Sequence, residues 1–205
     1  MIYILLGGPA TGKGTRAKIL AKELGLLHIS TGDILREEAK TNEKINNLIS
    51  SGEFVPDEVV NKLLGKKMLS DEAKNGVVLD GYPRTVSQAE TLKDMLYYMK
   101  KEITSVIELT VPEEIVFKRI LERKECPKCK KSYGIDFPSK DGINCDDCGT
   151  KLEIRSDDTK ETLIKRIKTY EEKTKPIIDF YRKQNLLKTV DSSHAPNKVL
   201  DIIGE

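Results

Sequence analysis

Met1 to Leu6 is a short apolar run, and after it Ala17, Leu20, Ala21 and Leu24 recur at the spacing of one helix face. The glycine-rich stretch Gly7–Thr15 lies between them, so the pattern predicts a strand, a loop and a helix in that order. Three further short apolar runs, Leu26–Ile29, Val77–Leu79 and Val106–Leu109, are separated by helical patterns, and Leu187–Val190 supplies a fifth strand. Strands that alternate with helices imply a parallel sheet covered on both faces. Pro112 before Glu113 marks a helix start, with Ile115, Val116, Ile120 and Leu121 on one stripe. Asp158 and Glu161 have capping-box spacing at the head of a long helix that Pro176 is expected to kink or break. Two stretches interrupt the alternation. Ser30 to Val55 has the character of a helical hairpin, and Lys124 to Ile154 is rich in Cys, Gly, Asp and Lys. Both read as insertions at the ends of strands or helices, where open parallel sheets bind ligands.

A length of 205 residues fits one core with insertions rather than two large domains. Hydrophobic residues at 38% leave enough Ile, Leu and Val for a buried sheet. Lys+Arg 35 against Asp+Glu 33 gives a formal charge of +2, too small to hold a nucleic-acid backbone over the whole surface, so any anion site is local. The longest apolar run is far short of a membrane span, and no leader pattern stands at the start, which points to a cytoplasmic protein with no membrane partner. All four cysteines fall between Cys126 and Cys148, a clustering that suggests a metal site in a reducing compartment.

Gly7 to Thr15 holds the spacing Gly-x-x-x-x-Gly-Lys directly after a strand and before a helix, the context of a phosphate cradle. Glycines let the loop curl with its N–H groups inward, the following helix adds its positive end, and Lys13 reaches the β- and γ-phosphates. Gly14 follows the lysine where many such loops carry Ser or Thr, so hydroxyl ligation of Mg²⁺ would fall to Thr15 or to water. Asp80 ends the run Gly76–Asp80 and is expected at the carboxyl edge of the sheet, where an acid that organises Mg²⁺ belongs. Gly81-Tyr82-Pro83-Arg84-Thr85 then describes a tight loop presenting a guanidinium to phosphate. Arg119 and Arg123, four apart, share a helix face beside the cysteine insertion.

These motifs in this order, with Ser30-Thr31-Gly32-Asp33, Arg36 and Gln88, resemble the adenylate kinase signature from residue 1 almost to the C-terminus. The resemblance implies an α/β fold, a P-loop three-layer core with a five-stranded parallel sheet, a small helical NMP-binding insert and a zinc-bearing lid insert. The core would comprise residues 1–29, 56–121 and 159–205, the NMP insert 30–55 and the lid 122–158. The implied ATP site is Ala10, Thr11, Gly12, Lys13, Gly14 and Thr15 with Arg119, Arg123, Ser132, Tyr133 and His194, and the familiar third glycine of the loop is here Ala10. The implied AMP site is Thr31, Arg36, Glu53, Phe54, Val55, Gly81, Tyr82, Pro83, Arg84, Gln88, Arg155 and Arg166. Catalysis would rest on Lys13, Asp80, Arg84, Arg119, Arg123, Arg155 and Arg166, with Asp157 and Asp158 holding lid arginines. The substrates implied are ATP, AMP and ADP, acting on a monomer with Mg²⁺.

Cys126-x₂-Cys129-x₁₅-Cys145-x₂-Cys148 fits a two-knuckle zinc pattern in spacing and number. Four thiolates leave no open position, so such a site is structural, replacing a core in an insertion whose large apolar residues are mainly Ile135, Phe137, Ile143, Leu152 and Ile154. His28 reads as a packed or hydrogen-bonded residue, and Arg182 as a solvated charge. Two rivals remain: a kinase taking UMP, CMP or GMP, and a zinc-ribbon nucleic-acid binding protein. Against the second stand the near-neutral charge and the lack of aromatics interleaved with basic residues at the knuckles.

Overall fold

The computed structural model describes residues 1–155, 158–193 and 196–202. Five parallel strands build the central sheet: β1 (Ile2–Gly7), β2 (Leu27–Ser30), β3 (Val77–Asp80), β4 (Ser105–Thr110) and, at the far edge, β7 (Leu187–Asp191), in the order β2-β3-β1-β4-β7. All five expected strands are present. The pleat sends alternate residues of β1 to opposite faces, and both faces are buried. Ile2, Ile4 and Leu6 join one core with Val77 and Leu79, while Tyr3 and Leu5 join another with Val78 and Ile107.

Helices cover both faces. α1 (Lys13–Leu24) packs Ala17, Leu20 and Ala21 onto the second core. α4 (Asp57–Met68), α5 (Val86–Tyr98) and α8 (Lys175–Arg182) close the first with Leu64, Leu92 and Ile177. The first insertion is a helical pair, α2 (Thr31–Glu38) capped by the Ser30 hydroxyl and α3 (Glu43–Ser51) capped by the Asn42 side chain. It shares the main core through Ile45 and Val55. The second insertion contains a two-stranded ribbon, β5 (Lys124–Glu125) and β6 (Ser132–Tyr133), around Cys126, Cys145, Tyr133 and Leu152. Ile135, Phe137, Ile143 and Ile154 lie exposed and of the insertion's large apolar residues singled out above only Leu152 is buried, in keeping with an insertion that has almost no apolar core of its own.

Three local expectations are corrected. α6 (Glu113–Leu121) starts after Pro112 and buries Val116 and Ile120, but Leu121 is 62% exposed, since it stands about 100° around the helix from Ile120. α7 (Lys160–Thr169) is capped by Thr159, whose hydroxyl accepts from the Thr162 amide at 3.1 Å; the Asp158 carboxylate is engaged by arginines instead. Pro176 does not break the rod. A π-helical turn, Tyr170–Thr174, precedes it, with the Lys175 amide donating to the Tyr170 carbonyl. Pro176 has no N–H to offer the preceding turn and its ring would press on the carbonyl four residues back, and the widened turn absorbs both.

Candidate active site

β1 ends in the glycine loop at the centre of the sheet. From it the chain builds β3 and β2 on one side and then β4 and β7 on the other, so the loop lies at the switch point where open parallel sheets take ligands. Two residues of the loop are left-handed, Ala10 at φ 60° and Gly12 at φ 75°. The first is the position where a glycine is familiar, and its methyl group is carried at a steric cost. Gly12 caps α1 with no side-chain partner, which leaves the first N–H groups of the helix directed at the loop. The Lys13 ammonium donates to the carbonyls of Gly7 and Gly8, both at 2.7 Å. Burial and the charges of Arg84, Arg166 and Arg123 push its pKa down from 10.5 to about 7, against the pull of Asp80.

Asp80 emerges at the carboxyl end of β3, its Oδ2 next to Gly14, where a Cβ would stand 3.3 Å away. His28 on β2 brings Nε2 to 3.4 Å from the same oxygen, in keeping with a packed polar role. Burial pushes the Asp80 carboxyl up, but the His28 contact and the charges of Lys13 and Arg84 outweigh it and hold it below the usual carboxylate range. The site thus keeps one hard anionic oxygen beside the phosphate loop.

An open cleft runs from Lys13 to the first insertion, between the C-terminal ends of β1 and β3. Thr31, Arg36, Glu53, Phe54, Val55, Gly81, Pro83, Arg84, Gln88, Arg155 and Arg166 all line it, with Leu35, Ile49 and Val60 as an apolar wall that sequence reasoning did not single out. Tyr82 does not line it. Its ring is fully buried and its hydroxyl donates to Asn61 Oδ1 at 2.7 Å, which makes it a support beneath the loop. The Tyr82–Pro83 peptide bond is cis. Thr31 donates to the Gly81 carbonyl at 2.8 Å, and Arg36 is paired with Asp33. Gln88 uses its amide within the protein, accepting from the Arg84 amide at 2.7 Å and donating to Asp57 Oδ1 at 2.6 Å. Asp57 is a partner that sequence reasoning missed, although Pro56 before it signals the start of α4.

The arginines converge from three elements. Arg123, just past α6, sends Nε to Asp158 Oδ2 at 2.7 Å and a second N–H to Oδ1, and Arg166 on α7 lies 3.5 Å from the same carboxylate, whose side chain is 0% exposed. Arg155 is 3.7 Å from Glu125. Arg119 sits elsewhere: its Nε donates to Asp136 of the cysteine insertion at 2.5 Å, and its other N–H groups reach the carbonyls of Ala10 and Ser192. The buried Arg16, also unforeseen, shares the Ser192 carbonyl at 2.9 Å. The insertion is tied down again where Lys18 of α1 donates to the Lys130 carbonyl at 2.5 Å. Thr11 donates to the Gly8 carbonyl at 3.0 Å, and Thr15 is half-buried within α1. Asp157 and His194 lie outside the described residues.

Ser132 is half-buried on the ribbon, but the Tyr133 side chain turns into the cysteine cluster, its hydroxyl 3.3 Å from Cys145 Sγ and accepting from the Asp146 amide at 2.8 Å. The four Sγ atoms of Cys126, Cys129, Cys145 and Cys148 lie within 4.8 Å of one another, with pairs at 3.4 and 3.5 Å. A tetrahedral thiolate site with metal–sulfur bonds of about 2.3 Å has edges of about 3.8 Å, so the four are positioned to hold one metal ion.

The family model for adenylate kinase matches residues 5–186. The chain is 44% identical to an adenylate kinase of Thermotoga petrophila, over 100% of this chain and 98% of the relative. It is 44% identical to one of Fervidobacterium nodosum, over 99% and 95%, and 40% identical to one of Clostridium perfringens, over 99% and 96%.

Proposed function

The chain belongs to the adenylate kinase family, and from that premise we propose that it transfers the γ-phosphoryl group of Mg-ATP reversibly to AMP, giving two ADP and maintaining adenine nucleotide balance. The observation that carries the reading is that Lys13 from the glycine loop, Arg84 and Arg166 line one cleft, with Arg123 joined to Arg166 through the Asp158 carboxylate. Phosphoryl transfer needs in-line positioning of two anions and neutralisation of charge on the transferring group, with little covalent work for the protein. The loop and α1 bind the donor phosphates, and Lys13 leaves the loop carbonyls for them. Arg84 takes the acceptor phosphate, and Arg123, Arg155 and Arg166 neutralise the group in transit. Arg119, set between Ala10 and Ser192, serves the donor side.

A bound Mg²⁺ would supply positive charge against the donor's phosphates. Asp80 is the group that fits it, an ionised oxygen donor beside the loop. Zn²⁺ is the metal proposed for the four cysteines, a closed structural site distant in chemistry from the transfer. The segments 30–55 and 122–158 are proposed to act as the NMP-binding insert and the lid around a core of 1–29, 56–121 and 159–205. We place the enzyme in the cytoplasm as a monomer acting on ATP, AMP and ADP, without a nucleic-acid or membrane partner; among the described residues no helix is long and apolar enough to cross a membrane. The test is a coupled assay of ATP against AMP, UMP, CMP and GMP. AMP should be the preferred acceptor, and faster turnover of another monophosphate would refute the assignment.

A further inference from the structure

The π-helical turn Tyr170–Thr174 runs across the cleft in the middle of the α7–α8 rod, and each end of it holds a different substrate loop. At the donor end the Tyr170 ring lies against Gly8, where a Cβ would stand 3.7 Å from two ring carbons. At the acceptor end the Thr174 hydroxyl donates to the Arg84 carbonyl at 3.0 Å. Gln88 already fixes the amide of Arg84, so the backbone that carries this guanidinium is held from both sides. Between them Lys173 places its ammonium 5.4 Å from the centre of the Phe54 ring, and Arg84 lies 5.6 Å from the same ring. The turn is bolted to the main core through Ile177 and Ile178. One five-residue turn therefore bears on the donor loop, the acceptor loop and the first insertion together.

Building on the functional reading above, we propose that this turn is a positioning element that sets the spacing of the donor loop against the Arg84 loop, with Tyr170 and Thr174 acting through Gly8 and Arg84. In-line transfer requires reacting atoms about 3–3.5 Å apart, and a misplacement of about 1 Å costs on the order of 100-fold in rate. A turn rigidly seated on the core supplies that spacing, whereas two loops moving independently would not.

The test reads initial rates over a full matrix of ATP and AMP concentrations, with thermal melts alongside. Thr174→Val keeps the shape and removes the donor, and should lower kcat about 10- to 100-fold while both KM values stay within about twofold. Thr174→Ser should restore kcat. Tyr170→Leu should act like Thr174→Val, and the double variant should lose less than the product of the two, because both disturb one spacing. If Thr174→Val does not fold, Tyr170→Leu carries the same test from the donor end. Wild-type kcat in the folded variants overturns the proposal. So does a raised KM for AMP at unchanged kcat, which would make Thr174 a direct AMP contact. Wild-type protein that forms no ADP would instead overturn the functional reading itself.

Discussion

Asp158 is the point at which the resting site is most open to disturbance. Its side chain has no exposure, yet it answers two guanidinium groups, Arg123 through two hydrogen bonds and Arg166 at 3.5 Å. Asp158→Asn preserves shape and removes the charge, leaving two arginines facing each other and Lys13. Breaking a buried ion pair from one side costs about 3–5 kcal/mol. The arginines keep 18% and 26% of their side-chain surface in water, which screens them, so a loss below that range, about 2–3 kcal/mol, is expected. For a chain of this size that corresponds to a fall of roughly 5–10 °C in Tm. The loss should be specific to the ligand-free protein. A bisubstrate mimic, two adenosines joined by a phosphate chain, would bring phosphate charge in place of the lost carboxylate, and calorimetry at saturating mimic should show at least half of the deficit recovered. An Asn variant that melts within about 1 °C of the parent would refute the reasoning, as would a deficit undiminished by the mimic.

With its pKa near 7, Lys13 is about 90% neutral at about pH 8, so nucleotide binding that returns it to full charge should take up close to one proton, read by titration calorimetry in buffers of different ionisation heat. The same depression means that the unfolded chain holds the extra proton between about pH 7 and 10.5, so this group makes stability rise with pH across that window. Lys13→Met should abolish the uptake and most of the activity, and zero uptake by the wild type would contradict the geometry. Stripping the metal from Cys126, Cys129, Cys145 and Cys148 should cost at most several kcal/mol, concentrated by hydrogen exchange in residues 122–158, with activity kept in the cold and lost earlier on warming. Metal content near zero in freshly reduced protein, or activity abolished at every temperature with an unchanged melt, would exclude a structural site.

Much of this architecture is legible in the chain because its signals are short-ranged. The five strands follow from apolar runs, the glycine loop from its setting between strand and helix, and the metal cluster from cysteine spacing. What escaped the sequence was decided by distant partners. Asp158 has cap-like spacing, but Thr159 takes the cap, while the Asp158 carboxylate holds Arg123, thirty-five residues away, a pairing with an arginine that the resemblance had implied. Gln88, placed at AMP by the resemblance, also braces the fold, accepting from the Arg84 amide and donating to Asp57. Tyr133, placed at ATP by the resemblance, turns its side chain to the thiols, a contact that cysteine spacing does not show. Pro176 signals a kink or break, and the regular helix does give way before it to a π turn, beyond which α8 runs on with Ile177 and Ile178 buried.

The same long-range placement explains how a nearly neutral protein makes a strong anion site. The formal charge of +2 leaves no surplus, so the cations at the cleft are balanced locally by Asp80, Asp158, Asp136 and Glu125. Each carboxylate stands where it can hold a cation in place without filling the cleft. Lys13 is the exception: its carbonyl partners carry only partial charge, and its depressed pKa records first its burial and then the repulsion of Arg84, Arg166 and Arg123 against the pull of Asp80. That repulsion is tolerated because the loop grows out of a strand buried on both faces. A polyphosphate in transit relieves it most, since charge then lies between Lys13 and all three arginines at once, and preference for that state over either bound substrate is what lowers the barrier.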